Sequence, residues 1–199
     1  MLKYCYENKV VMRGESMPVL KTDRLLMRRF RLTDLNDFYE YAKDPVVGPN
    51  AGWDYHRTRD ESLLLLKKFT KSNEIWAIEH VETSKVIGSI GIHRDRKREN
   101  KSARMIGYVI NSKYWGKGYA TEAAKKIMEY AFDQLDIDLI SAYHYSHNDR
   151  SKRVIRKCGM THEGVLKCAT VTYDGLVYDE HCYSITKDEF NKVTIPTGV

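Results

Sequence analysis

Apolar residues follow two spacings along this chain. Helical spacing predicts helices after caps at Thr33 and Thr58, a long helix after Gly118 and a short one over 149–157. Extended apolar runs predict seven strands, at 24–30, 75–81, 86–93, 104–110, 139–145, 164–172 and 178–186. The three strands between residues 75 and 110 should form an antiparallel meander. Asp174 and Gly175 predict a hairpin between the last two.

These elements fit one domain. The chain has 199 residues, enough for one sizeable core, and no repeat or linker divides it. Residues 1–18 lack a period and are expected to be a flexible N-terminal extension, 19–190 the domain, and 191–199 a C-terminal tail. The expected fold is mixed α/β (α+β), with a central, mostly antiparallel twisted sheet of about seven strands and helices on both faces.

Composition narrows the class of partner. The 33 Lys and Arg against 27 Asp and Glu give a net charge of +6, which suits an anionic ligand without requiring a nucleic acid. The four cysteines have neither zinc-like spacing nor a C-x-x-C pair, so we expect no metal and no disulfide framework. Without a secretory apolar core or a run of ~20 apolar residues, a cytoplasmic protein without a membrane partner is expected.

A glycine loop carries the strongest chemical signal. Small residues at Gly116, Gly118 and Ala120 stand between a predicted strand and a predicted helix. Such a loop lets backbone amides and the helix dipole approach a phosphate group. The spacing matches neither the nucleoside-triphosphate loop nor the three-glycine dinucleotide motif. The alternative for an isolated glycine pair is a simple turn before a core helix.

At this loop the chain resembles the GNAT N-acetyltransferase superfamily. The family pattern [QR]-x-x-G-x-[GA] corresponds to the segment from Trp115 to Ala120, with Trp115 in place of Gln or Arg. Asn148-x-x-Ser151 and Lys157-x-Gly159-Met160 further resemble the RimJ/RimL type. The resemblance covers residues 20–186 and implies a GNAT-like fold, acetyl-CoA as cosubstrate, and transfer of its acetyl group to a primary amine.

The resemblance also implies which residues bind acetyl-CoA. The pantetheine arm would lie beside the strand at Tyr108, with a backbone N–H near Val109 or Ile110 bonding the acetyl oxygen. Loop amides from Gly116 to Thr121 would hold the pyrophosphate. The complete expected set is Tyr108, Val109, Ile110, Trp115, Gly116, Lys117, Gly118, Tyr119, Ala120, Thr121, Asn148 and Ser151.

Catalysis is expected to proceed by direct attack in a ternary complex. Ser151 would donate to the departing sulfur or order a water that does, and Asn148 belongs to the expected catalytic set. The alternative is that Asn148 only caps a helix and that Ser151 is an ordinary residue of its first turn. The tyrosine that many relatives carry four residues after that serine is Ile155 here. At two positions where relatives carry an acidic residue this chain has Met105 and Thr170, neither of which can accept the proton. The candidates for the base are therefore His56, His93, Glu163 or a water chain, and His56 is in the expected catalytic set.

The acceptor side is less defined by the sequence. Asn50 and Trp53 resemble the acceptor loop of RimJ/RimL-like proteins, and the alternative is a glycine-bearing turn with a partly buried Trp. Asp179 is a candidate for orienting substrate or an ordinary charge partner in a hairpin. The expected acceptor is a protein N-terminal alpha-amine, as in ribosomal-protein acetylation, against a small amine or antibiotic. Two rivals are a non-catalytic acyl-CoA-binding module and a basic RNA-associated protein. Strand edges allow a homodimer, and the basic run from Arg94 to Lys101 is interpreted as a solvated hairpin tip.

Overall fold

The computed structural model describes residues 17–194, which form one eight-stranded sheet flanked by helices. The strands are β1 (Leu20–Lys21), β2 (Leu25–Arg29), β3 (Ile75–His80), β4 (Val86–Arg94), β5 (Ala103–Ile110), β6 (Leu139–Tyr145), β7 (Thr161–Val171) and β8 (Val177–Thr186). The helices are α1 (Leu35–Ala42), α2 (Arg59–Phe69), α3 (Tyr119–Gln134), α4 (Asp149–Lys157) and α5 (Lys187–Thr194).

The sheet is mostly antiparallel, as expected, in the order β1-β2-β3-β4-β5-β6-β8-β7. The strand beyond the seven predicted is β1, a two-residue segment in which Leu20 pairs with Met27 of β2. A two-residue strand is too short to show alternation, so its existence depends on the neighbouring strand. The β7–β8 hairpin at Asp174 and Gly175 forms as predicted.

Strands β5 and β6 separate partway along their length. They are parallel and pair only from Ala103 to Met105 against Leu139 to Ser141. Beyond that point β5 continues beside β4 as far as Ile110, while β6 continues beside β8 as far as Tyr145. The two strands therefore diverge and open a cleft in the middle of the sheet.

Helices cover both faces of the sheet. On one face α3 buries Ile127, Met128 and Phe132 completely or almost completely. On the other face α1 and α2 pack Phe38 and Phe69 around Phe30 and the sheet. Two apolar clusters, one on each face, thus hold the divergent strands in place.

Helix α1 begins later than the sequence suggests. Thr33 lies inside a short 3-10 turn and is not the cap; α1 starts at Leu35. The turn forms around the buried Asp34, whose carboxylate accepts two 2.9 Å bonds from Arg28 and one from the Arg31 amide. Thr58, in contrast, does cap α2, through the Glu61 amide.

Both domain ends carry structure close to the predicted boundaries. Met17 is buried, and the Trp76 indole donates to the Pro18 carbonyl at 2.9 Å. Helix α5 crosses residue 190 and packs Phe190 on Phe132, with ring centroids 5.2 Å apart. Residues 1–16 and 195–199 of the predicted extension and tail lie outside the described part. Within 17–194 no helix is long and apolar enough to cross a membrane.

The basic run after β4 is only partly a freely solvated tip. Lys97 forms a 2.6 Å ion pair with Glu180, and Arg98 lies 3.1 Å from Asp95, which is 1% exposed. Asp95 in turn accepts bonds from Ser141 and Tyr143. Because buried carboxylates need counter-charges, Lys97 and Arg98 turn back toward the sheet, which corrects the expectation for these two residues. Arg94, Arg96 and Lys101 are exposed, as expected of a solvated run.

Candidate active site

A cavity of about 500 Å³ occupies the cleft between β5 and β6. One end is lined by the glycine loop and the start of α4, and the other by the loop before α2 and by residues of β6 and β8. It includes all of the expected cofactor residues except Lys117, together with Asn50 and Trp53. His56 and Asp179 do not line it. Residues of both apolar clusters, one on each face of the sheet, thus line the cleft.

The backbone of β5 presents alternate residues to this cleft. The Asn111 amide donates to Ile87 of the strand beside it at 2.8 Å. Alternate residues of an antiparallel ladder point the same way, so Val109 also directs its backbone groups toward β4. The backbone groups of Tyr108 and Ile110 face the cleft instead. The structure therefore favours Ile110 over Val109 as the source of an N–H for an acyl oxygen.

The glycine loop has the backbone that an anion cradle requires. Gly116 and Gly118 have φ angles of +77° and +85°, which side chains rarely adopt, and Gly118 is the N-cap of α3. A Cβ at Gly116 would meet nothing within 4 Å, so space is open beside the loop. The Lys117 carbonyl accepts a hydrogen bond from Arg24 at 3.1 Å, which attaches the loop to the segment before β2.

Trp115 and Arg150 form a pair at the cofactor end. The Trp115 indole donates to the Ile110 carbonyl at 2.7 Å, and the Arg150 guanidinium lies 4.1 Å over its ring. Arg150, Arg153 and Lys157 also line the cavity from one face of α4. The position at which the family pattern has Gln or Arg thus carries a stacked arginine from another element. Sequence reasoning missed Arg150 because nothing in its local pattern indicates this contact.

These features fit a phosphate-bearing cofactor. Amides at the start of α3, open space at Gly116 and the cations of α4 face one end of the cleft. Among residues 17–194 no group of His, Cys, Asp or Glu is arranged to hold a metal ion. The site therefore has the donors that an anionic organic ligand needs.

Ser151 and Tyr108 share a hydrogen bond inside the cleft. Their hydroxyl oxygens lie 2.9 Å apart, and the Tyr108 hydroxyl also donates to the Ser151 carbonyl at 3.2 Å. Burial raises the pKa of Tyr108 well above its ordinary value, so this phenol remains a proton donor. Tyr108 was expected only to provide backbone contacts, and its hydroxyl adds a second donor beside Ser151.

Asn148 has two structural hydrogen bonds. Its side-chain oxygen accepts from the Ser151 amide at 3.0 Å, which caps α4. Its side-chain amide donates to the Asn50 carbonyl at 2.9 Å. Asn148 therefore fixes both Ser151 and the acceptor loop, and the geometry favours the capping interpretation over a chemical role.

The acceptor end has an aromatic wall. Gly52 has φ +84°, and a Cβ there would collide with the Tyr145 hydroxyl. Burial raises the pKa of Tyr145 to about 12. Trp53 packs against His56, with ring centroids 5.4 Å apart. His56 lies behind this wall, where its Nδ1 is 2.7 Å from the Ser62 hydroxyl and burial lowers its pKa; it is therefore poorly placed to act as the base.

Carboxylates on the β7–β8 hairpin divide into two groups. Asp179 pairs with Lys167 at 2.8 Å and accepts from the Cys168 amide at 2.9 Å, so it serves the hairpin. Its neighbour Glu180 is buried, lines the cavity and accepts from Thr170. Glu163 pairs with Arg98 outside the cavity. Asp179 thus has the contacts of a hairpin charge partner, and the register of β8 turns Glu180 toward the cavity instead.

The divergent parallel pair lies beside the glycine loop and the start of α3, and comparisons with known proteins identify the class of enzyme that has this architecture. The acetyltransferase (GNAT) domain family matches residues 24–161. The uncharacterized N-acetyltransferases YnaD and YoaA of Bacillus subtilis are 31% and 29% identical, over 86% and 85% of this chain and 99% and 97% of their own lengths. A GNAT-family acetyltransferase structure from Bacillus anthracis matches with TM-score 0.78 and 27% identity, covering 86% of this chain and 99% of its own.

The chain belongs to the GNAT acetyltransferase family. It is an acetyl-CoA-dependent N-acetyltransferase, and the mixed sheet expected from the sequence is confirmed.

Proposed function

We propose that this enzyme acetylates the alpha-amine of a protein N-terminus, by direct attack within a ternary complex, as a member of the RimJ/RimL type. The observation that carries the proposal is the cavity that passes through the sheet between β5 and β6. A cofactor entering from the glycine-loop side and an amine entering from the Trp53 side would meet in this cleft. Their simultaneous presence is what direct transfer requires.

The cysteines argue against an acyl-enzyme route. None of Cys158, Cys168 and Cys182 in the described part of the chain lines the cavity. Burial raises the pKa of Cys158 to about 11, so its thiol is a poor nucleophile at neutral pH. The placement of these three cysteines supports transfer without a cysteine acyl-enzyme.

The proposed roles divide between the two ends of the cleft. When bound, acetyl-CoA supplies the acetyl group as a thioester and departs as a thiol. Amides from Gly116 to Thr121, with Arg150, would bind its phosphates. The Ile110 amide would polarise the acyl oxygen. The Ser151 hydroxyl, held by Tyr108, would offer a proton where the sulfur departs.

Relatives support two kinds of acceptor. The Putative ribosomal N-acetyltransferase YdaF of Bacillus subtilis is 30% identical over 52% of this chain. An FsC-acetyl coenzyme A-N(2)-transacetylase of Aspergillus fumigatus is 32% identical over 46% of it. We favour the N-terminal amine because the ribosomal relative matches the larger share of this chain, and a chain end would then enter beside Trp53 and Tyr145. A small amine is the second candidate.

Thiol release from acetyl-CoA tests the choice of acceptor. The panel would contain short peptides with a free alpha-amine, the same peptides acetylated at the N-terminus but carrying a lysine, and small amines including polyamines and aminoglycosides. We expect release with the free alpha-amine peptides and little with their blocked counterparts. Preference for a small amine would refute the peptide proposal. Binding of acetyl-CoA without release by any amine would refute the transfer mechanism proposed here.

A further inference from the structure

We propose that His93, oriented by Glu74, is the general base that takes the proton from the acceptor amine. This inference rests on the proposed function and assigns a residue to its unfilled proton-accepting step. It is carried by the arrangement of β4 and β5 on the acceptor face of the cleft.

His93 stands on that face by register. It pairs with Met105 across the β4–β5 ladder, and two residues earlier Gly91 pairs with Gly107. Alternate residues of a strand share a face, so all four lie on the face that carries Val109 and the aromatic cluster of α1 and α2. His93, Met105, Gly91 and Gly107 all line the cavity.

Two glycines leave room for the imidazole and for an incoming amine. His93 Nε2 lies 2.5 Å from the place where a Cβ at Gly91 would stand, so any other residue there would displace the ring. A Cβ at Gly107 would meet nothing within 4 Å. Directly opposite residues have Cβ positions about 4.5–5.5 Å apart. Nε2 therefore lies beside open space on the floor of the acceptor chamber.

Glu74 sets the tautomer of the ring. Its Oε2 lies 3.3 Å from His93 Nδ1, and both side chains are largely buried, at 16% and 14% exposure. A carboxylate can only accept, so in a neutral ring the proton lies on Nδ1 and Nε2 keeps its lone pair. That nitrogen faces the space at Gly107, and Tyr108, the next residue, presents its backbone to the cleft.

Other basic groups in the described chain are less suitably placed. Glu180 is held by Thr170 and Lys97. His144 also lines the cavity, but it shares the face of Ala142, which packs in the α3 cluster, and its Nδ1 bonds the Tyr145 carbonyl at 2.8 Å. His93 is the imidazole on the acceptor face that also has a carboxylate partner.

The proton transfer balances without a further reactant. The N–H bond of the incoming ammonium breaks as the Nε2–H bond forms, which leaves a neutral amine. Its lone pair forms the new C–N bond while the C–S bond of the thioester breaks, and the electron pair of that bond leaves on sulfur. The nitrogen bonded to the acetyl carbon then loses its second proton to water, and the thiolate takes up one proton through the Ser151 hydroxyl. His93 returns its own proton to solvent.

The test uses the full chain with whichever panel amine gives thiol release. We expect His93→Gln to lower kcat at least about 100-fold, as loss of a general base does, while calorimetric affinity for acetyl-CoA stays within twofold. Glu74→Gln should give a smaller loss of kcat. His93→Ala leaves the space of the ring empty, so added imidazole should restore part of the activity of that variant but not raise that of the wild type. His162→Gln, on the exposed hairpin, is the matched control and should behave as the wild type.

Three results would overturn the assignment. These are His93→Gln with kcat within threefold of the wild type, a loss in His93→Ala that imidazole does not relieve, and a loss accompanied by weaker acetyl-CoA binding or a lower melting temperature. Failure of the proposed function looks different, because the wild type itself would then bind acetyl-CoA and release no thiol with any amine.

Discussion

Asn148 is the residue at which structure and chemistry can be separated most cleanly. Its oxygen caps α4 through the Ser151 amide, and its amide group holds the Asn50 carbonyl. Asn148→Ser keeps a capping oxygen and removes the tether, since serine is also a good N-cap. Asn148→Ala removes both interactions.

The two contacts give different magnitudes. A lost N-cap costs about 1 kcal/mol, and a lost hydrogen bond of the Asn50 type costs about 1 kcal/mol. We expect Asn148→Ser to lower the free energy of unfolding by about 1 kcal/mol and Asn148→Ala by about 2 kcal/mol. For a domain of this size each kcal/mol lowers Tm by roughly 2–4 °C.

Thermal unfolding and steady-state kinetics would be measured on both variants. Because the tether holds the acceptor loop, Asn148→Ser should raise the KM for the amine about fivefold, the equivalent of 1 kcal/mol, and leave acetyl-CoA affinity unchanged. A wild-type Tm and KM in Asn148→Ser would show that the tether does not act. A large fall in kcat at unchanged Tm would instead give Asn148 the chemical role that its geometry does not favour.

Three further substitutions probe the cofactor end. Gly118→Ala should weaken acetyl-CoA binding, measured by calorimetry, by about 1–2 kcal/mol or about 5- to 30-fold. Alanine disfavours φ +85°, so the amides at the start of α3 would turn away from the phosphates. The control is Gly175→Ala, which has a similar φ of +82° but lies on the hairpin, and it should leave the affinity unchanged. Ser151→Ala should lower kcat more than it weakens acetyl-CoA binding, and equal turnover would remove its hydroxyl from the reaction. A third substitution concerns Glu122. Burial raises the pKa of this carboxylate, but hydrogen bonds from Thr22 and Arg24 lower it more, so the pKa lies below its ordinary 4.5. Ionised Glu122 therefore stabilises the fold above pH 4.5, and this contribution is lost as the pH falls through the lowered pKa. In denaturant titrations Glu122→Gln should be less stable than the wild type by less than about 1 kcal/mol at neutral pH, and equally stable in acid.

Local chemistry made several elements predictable. Thr58 caps α2 through the Glu61 amide, and Asn148 caps α4, because a capping oxygen acts within one helical turn. The positive φ angles of Gly116 and Gly118 follow from a residue type that tolerates them. Thr33 was a wrong assignment for a physical reason, since the carboxylate of Asp34 is drawn into a turn by Arg28, on another element.

The site depended on contacts between distant parts of the chain. Arg150 reaches Trp115 from 35 positions later in the sequence, and Glu180, not Asp179, faces the cavity because of the pairing register of β8. His93 meets Glu74 only because β3 and β4 lie side by side.

The sequence by itself therefore determined the backbone of the glycine loop and the caps at Thr58 and Asn148, since each is set by neighbours within a few residues, and the spacing of its apolar residues indicated the class of fold. Only the tertiary structure decided which side chains meet in the cleft. A one-residue change of strand register moves every side chain to the other face, and no local pattern records that register.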